Sequence, residues 1–138
     1  MIFEAKIWKD KKFWIAEVQS LYAVTQGRSK EDAKEMLKDW ILCSLDNPKD
    51  LQIKIHEPVK SQFLVETIGN QAQIIALIFK QQRAQSGMSV RELAKKLEFK
   101  SANAYAQYER GKTEPSLSQI ERILKAIDPS KKIQFKIG

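Results

Sequence analysis

Asn103 and Gln107 stand four residues apart in a stretch, Ser101 to Gly111, whose periodicity is helical. That spacing puts them on one face, with Ala102, Ala106 and Arg110 beside them. Carboxamides pair bidentately with the edge of adenine in the major groove of duplex DNA. Arg110, Lys112 and Lys100 supply cations suited to phosphate oxygens, and the helix starts at Ser89 and Ser101 supply amide donors. The residues expected to read bases are therefore Ala102, Asn103, Ala106 and Gln107. Those expected to hold phosphates are Ser89, Lys100, Ser101, Arg110 and Lys112. Tyr105 and Tyr108, three apart, are expected on the opposite, buried side.

A helix presents such a face to a groove only if a second short helix holds it at a steep angle through a tight turn. The preceding segment has the required parts. Ser89-Val90-Arg91-Glu92 is a capping box, with serine oxygen to the glutamate amide and glutamate back to the serine amide. Val90, Leu93, Ala94 and Leu97 form an apolar face, Ala94 is small and inward, and Phe99 is the apolar anchor of the turn. Upstream, Asn70 and Gln73 form a capping pair for a helix with Ile74, Leu77, Ile78 and Ala84 inside, ended at Ser86-Gly87. Downstream, Pro115-Ser116 opens a helix with Leu117, Ile120, Ile123, Leu124 and Ile127 on its apolar side. In the tail, Ile133, Phe135 and Ile137 alternate with Gln134 and Lys136, which predicts a strand. Its simplest partner is the same strand of a second chain across a two-fold axis.

The run Arg83…Gly87-Met88-Ser89-Val90-Arg91-Glu92-Leu93-Ala94…Leu97…Tyr108-Glu109-Arg110-Gly111-Lys112…Pro115-Ser116…Ile120…Ile123 resembles the Cro/phage-repressor helix-turn-helix family. The turn departs from it, carrying Glu98-Phe99-Lys100 where the family often has a glycine and a shorter link. The resemblance implies a structural ion pair between Arg83 and Glu109 that ties the first helix to the end of the third.

Charge is distributed to match. Residues 1–69 hold eleven basic and eleven acidic residues, whereas residues 70–138 hold thirteen and six, so the whole net charge of +7 lies in the second half. A localised excess of that kind is rewarded by phosphate contacts and counterion release.

The first half reads as strands around one helix. Phe3, Ala5 and Ile7 alternate with polar residues; Phe13 to Val18 returns after a polar turn; Tyr22 to Gln26 adds a short strand. Ser29 caps a helix with Glu31 and Asp32 in its first turn and Ala33, Met36, Leu37, Trp40 and Ile41 on one face. Leu51, Ile53 and Ile55 mark a strand ended by Pro58, and Gln62 to Ile68 a further one. The fold class is α+β, with a first domain over 1–68 and an all-α helix-turn-helix domain, plus the tail strand, over 70–138. Phe13-Trp14-Ile15-Ala16-Glu17-Val18…Val24-Thr25-Gln26-Gly27-Arg28-Ser29-Lys30-Glu31-Asp32-Ala33…Leu37…Trp40-Ile41 is similar to the HicB antitoxin family. That resemblance implies a small ribonuclease-H-like sheet-and-helix domain that neutralises a HicA-like ribonuclease toxin, beside a DNA-binding segment that represses the operon.

Other chemistry finds little support. A ribonuclease-H nuclease needs several carboxylates converging on two metal ions, and Glu4 and Glu17 have no clearly placed third partner. His56 reads as a strand-surface or packing residue, and Cys43 as a buried small hydrophobe. Trp8, Trp14 and Trp40 are core residues unless one or two anchor a partner. One cysteine excludes an internal disulfide, and no apolar run approaches the ~20 residues of a membrane span. The start lacks a signal-peptide layout, so a cytoplasmic protein without metal or cofactor, and not an enzyme, is expected. The combined expectation is an antitoxin and autorepressor that binds operator DNA as a homodimer or higher oligomer and holds a HicA-like toxin. The alternative is a stand-alone repressor whose first domain senses a ligand or oligomerises.

Overall fold

A computed structural model describes residues 1–59 and 61–137; Lys60 and Gly138 lie outside the described residues. Alternating apolar residues dictate the first half. β1 (Ile2–Asp10) buries Phe3, Ala5 and Ile7 and turns back through Lys11, in the left-handed region at φ 54°, into β2 (Phe13–Val18). A short 3-10 turn, Gln19–Leu21, leads to β3 (Ala23–Gly27). α1 (Lys30–Cys43) follows at once, because the Ser29 side chain accepts the Asp32 N–H at 3.0 Å while the Asp32 carboxylate accepts the Arg28 N–H at 2.9 Å. Glu31 and Asp32 sit at the positive end of its dipole.

β4 (Leu51–Val59) and β5 (Gln62–Gly69) complete one antiparallel sheet of order β3-β2-β1-β5-β4. β5, not the strand that directly follows α1, lies beside β1, with Phe3 opposite Val65 and Ala5 opposite Phe63. β4 is left at the edge. There the strand does not end at Pro58 but runs through it to Val59, with an irregular register between His56 and Val59. An edge position tolerates a residue without an N–H.

α1 covers one face of the sheet. Ala33, Leu37 and Ile41 are fully buried there, each of the larger two worth about 1.5–3 kcal/mol of apolar burial. Trp14 and Trp40 pack half-buried against this core, and Met36 is exposed. Cys43 is exposed rather than buried: two residues beyond Ile41, the helix has turned it about 200° away from the core. On the other face of the sheet Ile2, Trp8, Val24 and Ile68 are exposed.

The chain changes from strand to helix at Gly69-Asn70. α2 (Gln71–Ser86) is capped by Asn70, whose side chain accepts the Gln73 N–H at 3.4 Å, and closed by Gly87 at φ 77°. Three shorter helices follow: α3 (Val90–Lys96), α4 (Ala102–Glu109) and α5 (Leu117–Ile127), each with a serine N-cap. α2 serves two cores. Ile74 and Leu77 are buried with Phe3, Leu21 and Val65 of the sheet unit, while Ile75 and Phe79 are buried with Leu93, Tyr105 and Ile123. Two expected inner residues lie outside. Ala84 is exposed, and the buried side of α2 ends on Gln82 instead; Leu117, at the first position of α5, is 62% exposed because that core starts one turn further in. Residues 131–137 form neither helix nor strand in the single chain, and Phe135 and Ile137 are exposed. No helix among the described residues is long and apolar enough to cross a membrane.

Candidate nucleic-acid interface

The turn between α3 and α4 sets the geometry of the site. α3 begins with the serine half of its capping box, Ser89 Oγ accepting the Glu92 N–H at 3.0 Å. It ends when the Phe99 N–H donates back to the Ala94 carbonyl at 3.0 Å, with Glu98 in the left-handed region at φ 60°. Glu98 thus occupies the conformation that glycine adopts at no steric cost, in the turn where the sequence departs from the expected glycine. Phe99 is the anchor: its ring lies 5.9 Å from Tyr105 and 5.8 Å from Tyr108, tilted against both. The Arg122 guanidinium lies 6.0 Å from the Phe99 ring centre and donates to the Leu97 carbonyl, a clasp from α5 that the sequence did not reveal.

α4 starts at Ser101, whose hydroxyl accepts the Ala104 N–H at 3.1 Å. Tyr105 is fully buried and Tyr108 half-buried, so the helix turns its other side outward. Asn103 is exposed and Gln107 half-exposed, with Ala102 and Ala106 partly exposed beside them. Gln107 Nε2 donates to Asn103 Oδ1 at 3.2 Å. That bond holds two carboxamides side by side and leaves a Gln107 acceptor and an Asn103 donor for another partner, the combination an adenine edge requires. Ser89 is exposed at the start of α3, Lys100 and Ser101 in the α3–α4 turn, and Arg110 and Lys112 after the end of α4. Arg110 is the C-cap of α4, and the Lys112 N–H closes back on the Gln107 carbonyl at 3.1 Å through Gly111 at φ 67°. All nine expected contact residues therefore belong to one α3–turn–α4 unit.

The expected ion pair is present and more extensive than a pair. Arg83 Nε donates to Glu109 Oε1 at 2.5 Å and a terminal nitrogen to Oε2 at 3.0 Å, a two-pronged contact. The remaining nitrogen donates to the Met88 carbonyl at 2.8 Å, and the Tyr105 hydroxyl donates to Glu109 Oε1 at 2.7 Å. One network thus joins α2, the α2–α3 link and both turns of α4. The hydrogen bond to Glu109 raises the Arg83 pKa further above its already high value. Burial, reinforced by the Glu109 charge, raises the Tyr105 phenol above its ordinary 10.0.

Gln73 departs from its expected role. Its backbone is capped by Asn70, but its side chain does not return to the Asn70 amide. The side chain is buried and spans two units instead: Nε2 donates to the Arg110 carbonyl at 2.9 Å, and Oε1 accepts the Asn47 N–H at 3.3 Å. A glutamine beside the apolar run Ile74-Ile75-Ala76-Leu77 was the available signal, since a polar side chain buried there must find partners.

Elsewhere, Glu4 and Glu17 lie on the sheet face away from α1, and His56 pairs with Glu66 on that face at 2.7 Å. Of the three tryptophans, Trp8 is the exposed one, at 41%. Among the described residues no group of three or more His, Cys, Asp or Glu side chains is placed to hold a metal ion.

Residues 79–130 match the family model described as helix-turn-helix, a stretch from the middle of α2 to just past α5. The matched stretch is similar to the helix-turn-helix domains of DNA-binding transcription regulators. No curated protein and no solved structure matches the chain.

Proposed function

We propose that the chain is the antitoxin of a toxin–antitoxin pair: it represses its own operon through α4 and neutralises a HicA-like messenger-RNA-cleaving toxin through its sheet unit, without being an enzyme itself. The observation that carries the DNA-binding half is the hydrogen-bonded Asn103–Gln107 pair on the outward side of α4, flanked by Lys100, Arg110 and Lys112. The half concerning a toxin rests on the resemblance of residues 2–57 to the HicB family. It is favoured by Trp8, exposed on the sheet face away from α1, an aromatic residue of the kind that anchors protein partners. Binding as a homodimer follows from the symmetry of palindromic operators.

Co-expression tests the toxin half. The product of the neighbouring reading frame, expressed alone, should arrest growth and cleave RNA, and this chain should relieve both. A neighbour without toxicity, or a toxic one left unrelieved, refutes the antitoxin role. A cleft of ≈ 700 Å³ between the sheet unit and the start of the tail, with Glu17, Tyr22, Gln82 and Lys132 among its lining residues, favours one second reading: a repressor whose first half senses a small molecule. That reading predicts ligand-dependent operator affinity in the absence of any partner protein.

A further inference from the structure

We propose that Gln73 is a positioning residue for DNA binding: its buried side-chain amide seats the C-terminal end of the reading helix, and with it the Arg110-Gly111-Lys112 turn, on the sheet unit. The inference rests on the DNA-binding reading above and goes beyond it, because Gln73 precedes the stretch that matches the helix-turn-helix family and is itself buried, out of reach of DNA.

Three observations converge. The amide has one orientation only, since its nitrogen faces the Arg110 carbonyl at 2.9 Å and its oxygen faces the Asn47 N–H at 3.3 Å. Turning it over would set oxygen against oxygen and N–H against N–H. The Arg110 carbonyl lies where α4 has ended, among the carbonyls that no intrahelical donor reaches, so Gln73 supplies a partner that the helix cannot. Finally, Gly111 is packed directly against Gln73: a Cβ at Gly111 would lie 2.4 Å from Gln73 Nε2 and 3.1 Å from its Cα. The absence of a side chain at Gly111 is what lets the turn reach the amide.

The turn so held carries two cations assigned to phosphates, Arg110 and Lys112. Both are long side chains whose contact depends on where their backbone is fixed. The other end of the same amide is held by the loop that leaves α1, between Cys43 and Leu51. Beside the packing of α2 in both cores, this side chain thus ties the phosphate-binding turn directly to the sheet unit.

The test uses the full chain and a 40-base-pair duplex of random sequence, with affinity measured by fluorescence anisotropy over a salt series. Each phosphate contact contributes about 0.9 to the slope of log affinity against log salt. Gln73→Met keeps the length of the side chain and removes both hydrogen bonds. It should lower the slope by about one to two and weaken binding about tenfold at low salt, a drop of ~1.4 kcal/mol. A purely structural role would lower the unfolding midpoint and leave the slope of the folded protein unchanged. Gly111→Ala, which crowds the amide from the other side and also strains the turn at its positive φ, should reproduce the slope change with Gln73 intact. In the unmodified chain, the Gln73 side-chain NH₂ resonances should show slowed exchange and shift when duplex is added, a readout that needs no variant to fold. Wild-type slope and affinity in a folded Gln73→Met or Gly111→Ala, or unshifted Gln73 resonances in a duplex-bound chain, overturn the proposal alone. Failure of the unmodified chain to bind any duplex overturns the DNA-binding reading, and this one with it.

Discussion

Replacing Arg83 by methionine should be among the most damaging single changes outside the apolar cores. The side chains of Arg83 and Glu109 are only 16% and 8% exposed, so little water would screen the carboxylate left behind. The substitution removes both prongs of the contact to Glu109 and the bond to the Met88 carbonyl, leaving Glu109 with the Tyr105 hydroxyl alone. Removing one partner from a buried pair costs about 3–5 kcal/mol, because the survivor keeps its desolvation penalty without its counter-charge. A chain of this size holds a total of roughly 7–20 kcal/mol, and each kcal/mol moves its unfolding midpoint by roughly 2–4 °C. The expected fall is therefore roughly 6–20 °C, read by circular dichroism and checked by urea titration at constant slope. The double variant Arg83→Met, Glu109→Leu removes both charges. It should be less destabilised than Arg83→Met alone, retaining mainly the cost of about 1–3 kcal/mol for a Tyr105 hydroxyl without its acceptor. A single variant within about 1 kcal/mol of the parent, or a double variant as damaged as the sum of the two singles, would refute the assignment of this network as a buried clamp.

Asn103→Ala or Gln107→Ala should cost about 1–3 kcal/mol on a duplex selected from a random library and little on unselected DNA, whereas Lys112→Ala should weaken both alike; equal losses on every sequence would show that α4 does not read bases. The raised Tyr105 pKa gives a pH dependence of definite sign. The unfolded phenol ionises near 10.0 while the folded one stays neutral, so its contribution is intact below pH 10 and lost above it, at about 1.4 kcal/mol per pH unit. Urea midpoints between pH 9 and 11 should fall more steeply for the parent than for Tyr105→Phe, and parallel curves would contradict the shift. If the tail pairs with a second copy through Ile133, Phe135 and Ile137, deleting residues 131–138 should lower the oligomeric state seen by light scattering and weaken operator binding; an unchanged mass and affinity would remove the tail from that role.

The parts of the fold that were legible in the sequence are those whose cause is local. Ser29, Ser89, Ser101 and Ser116 each cap a helix because a side-chain oxygen reaches an N–H three residues on, a contact written in the spacing itself. The alternation in β1 and β5 likewise announces which residues go inside. The Asn103–Gln107 face was legible for the same reason, since four residues along a helix is one turn. What was not legible depends on which element comes to lie beside which. The pattern of β5 showed that it was a strand, but not that it would pair with β1 and push β4 to the edge, where Pro58 became tolerable. Cys43 reads as buried because small apolar residues favour burial, yet the helix phase turns it outward; Ala84 keeps the phase of Leu77, seven residues earlier, but lies beyond Gln82, the last buried residue of α2.

α2 shows the same boundary of legibility most clearly, and it bears on function. Its sequence, Ile74-Ile75-Ala76-Leu77-Ile78-Phe79, is apolar nearly all round, which is the pattern of a helix buried on two sides. A helix of a self-contained four-helix domain needs only one apolar stripe. The second stripe is occupied by the sheet unit through Ile74 and Leu77, and Gln82 adds a bond from its Nε2 to the Ser20 carbonyl at 2.9 Å. With one helix inside both cores, separating the two halves would expose apolar surface on each. A fragment cut at Gly69 should therefore lose Ile74 and Leu77 from its own core as well as the DNA-reading helices. A partner that docks on the sheet unit acts on a body that includes the first helix of the DNA-binding domain.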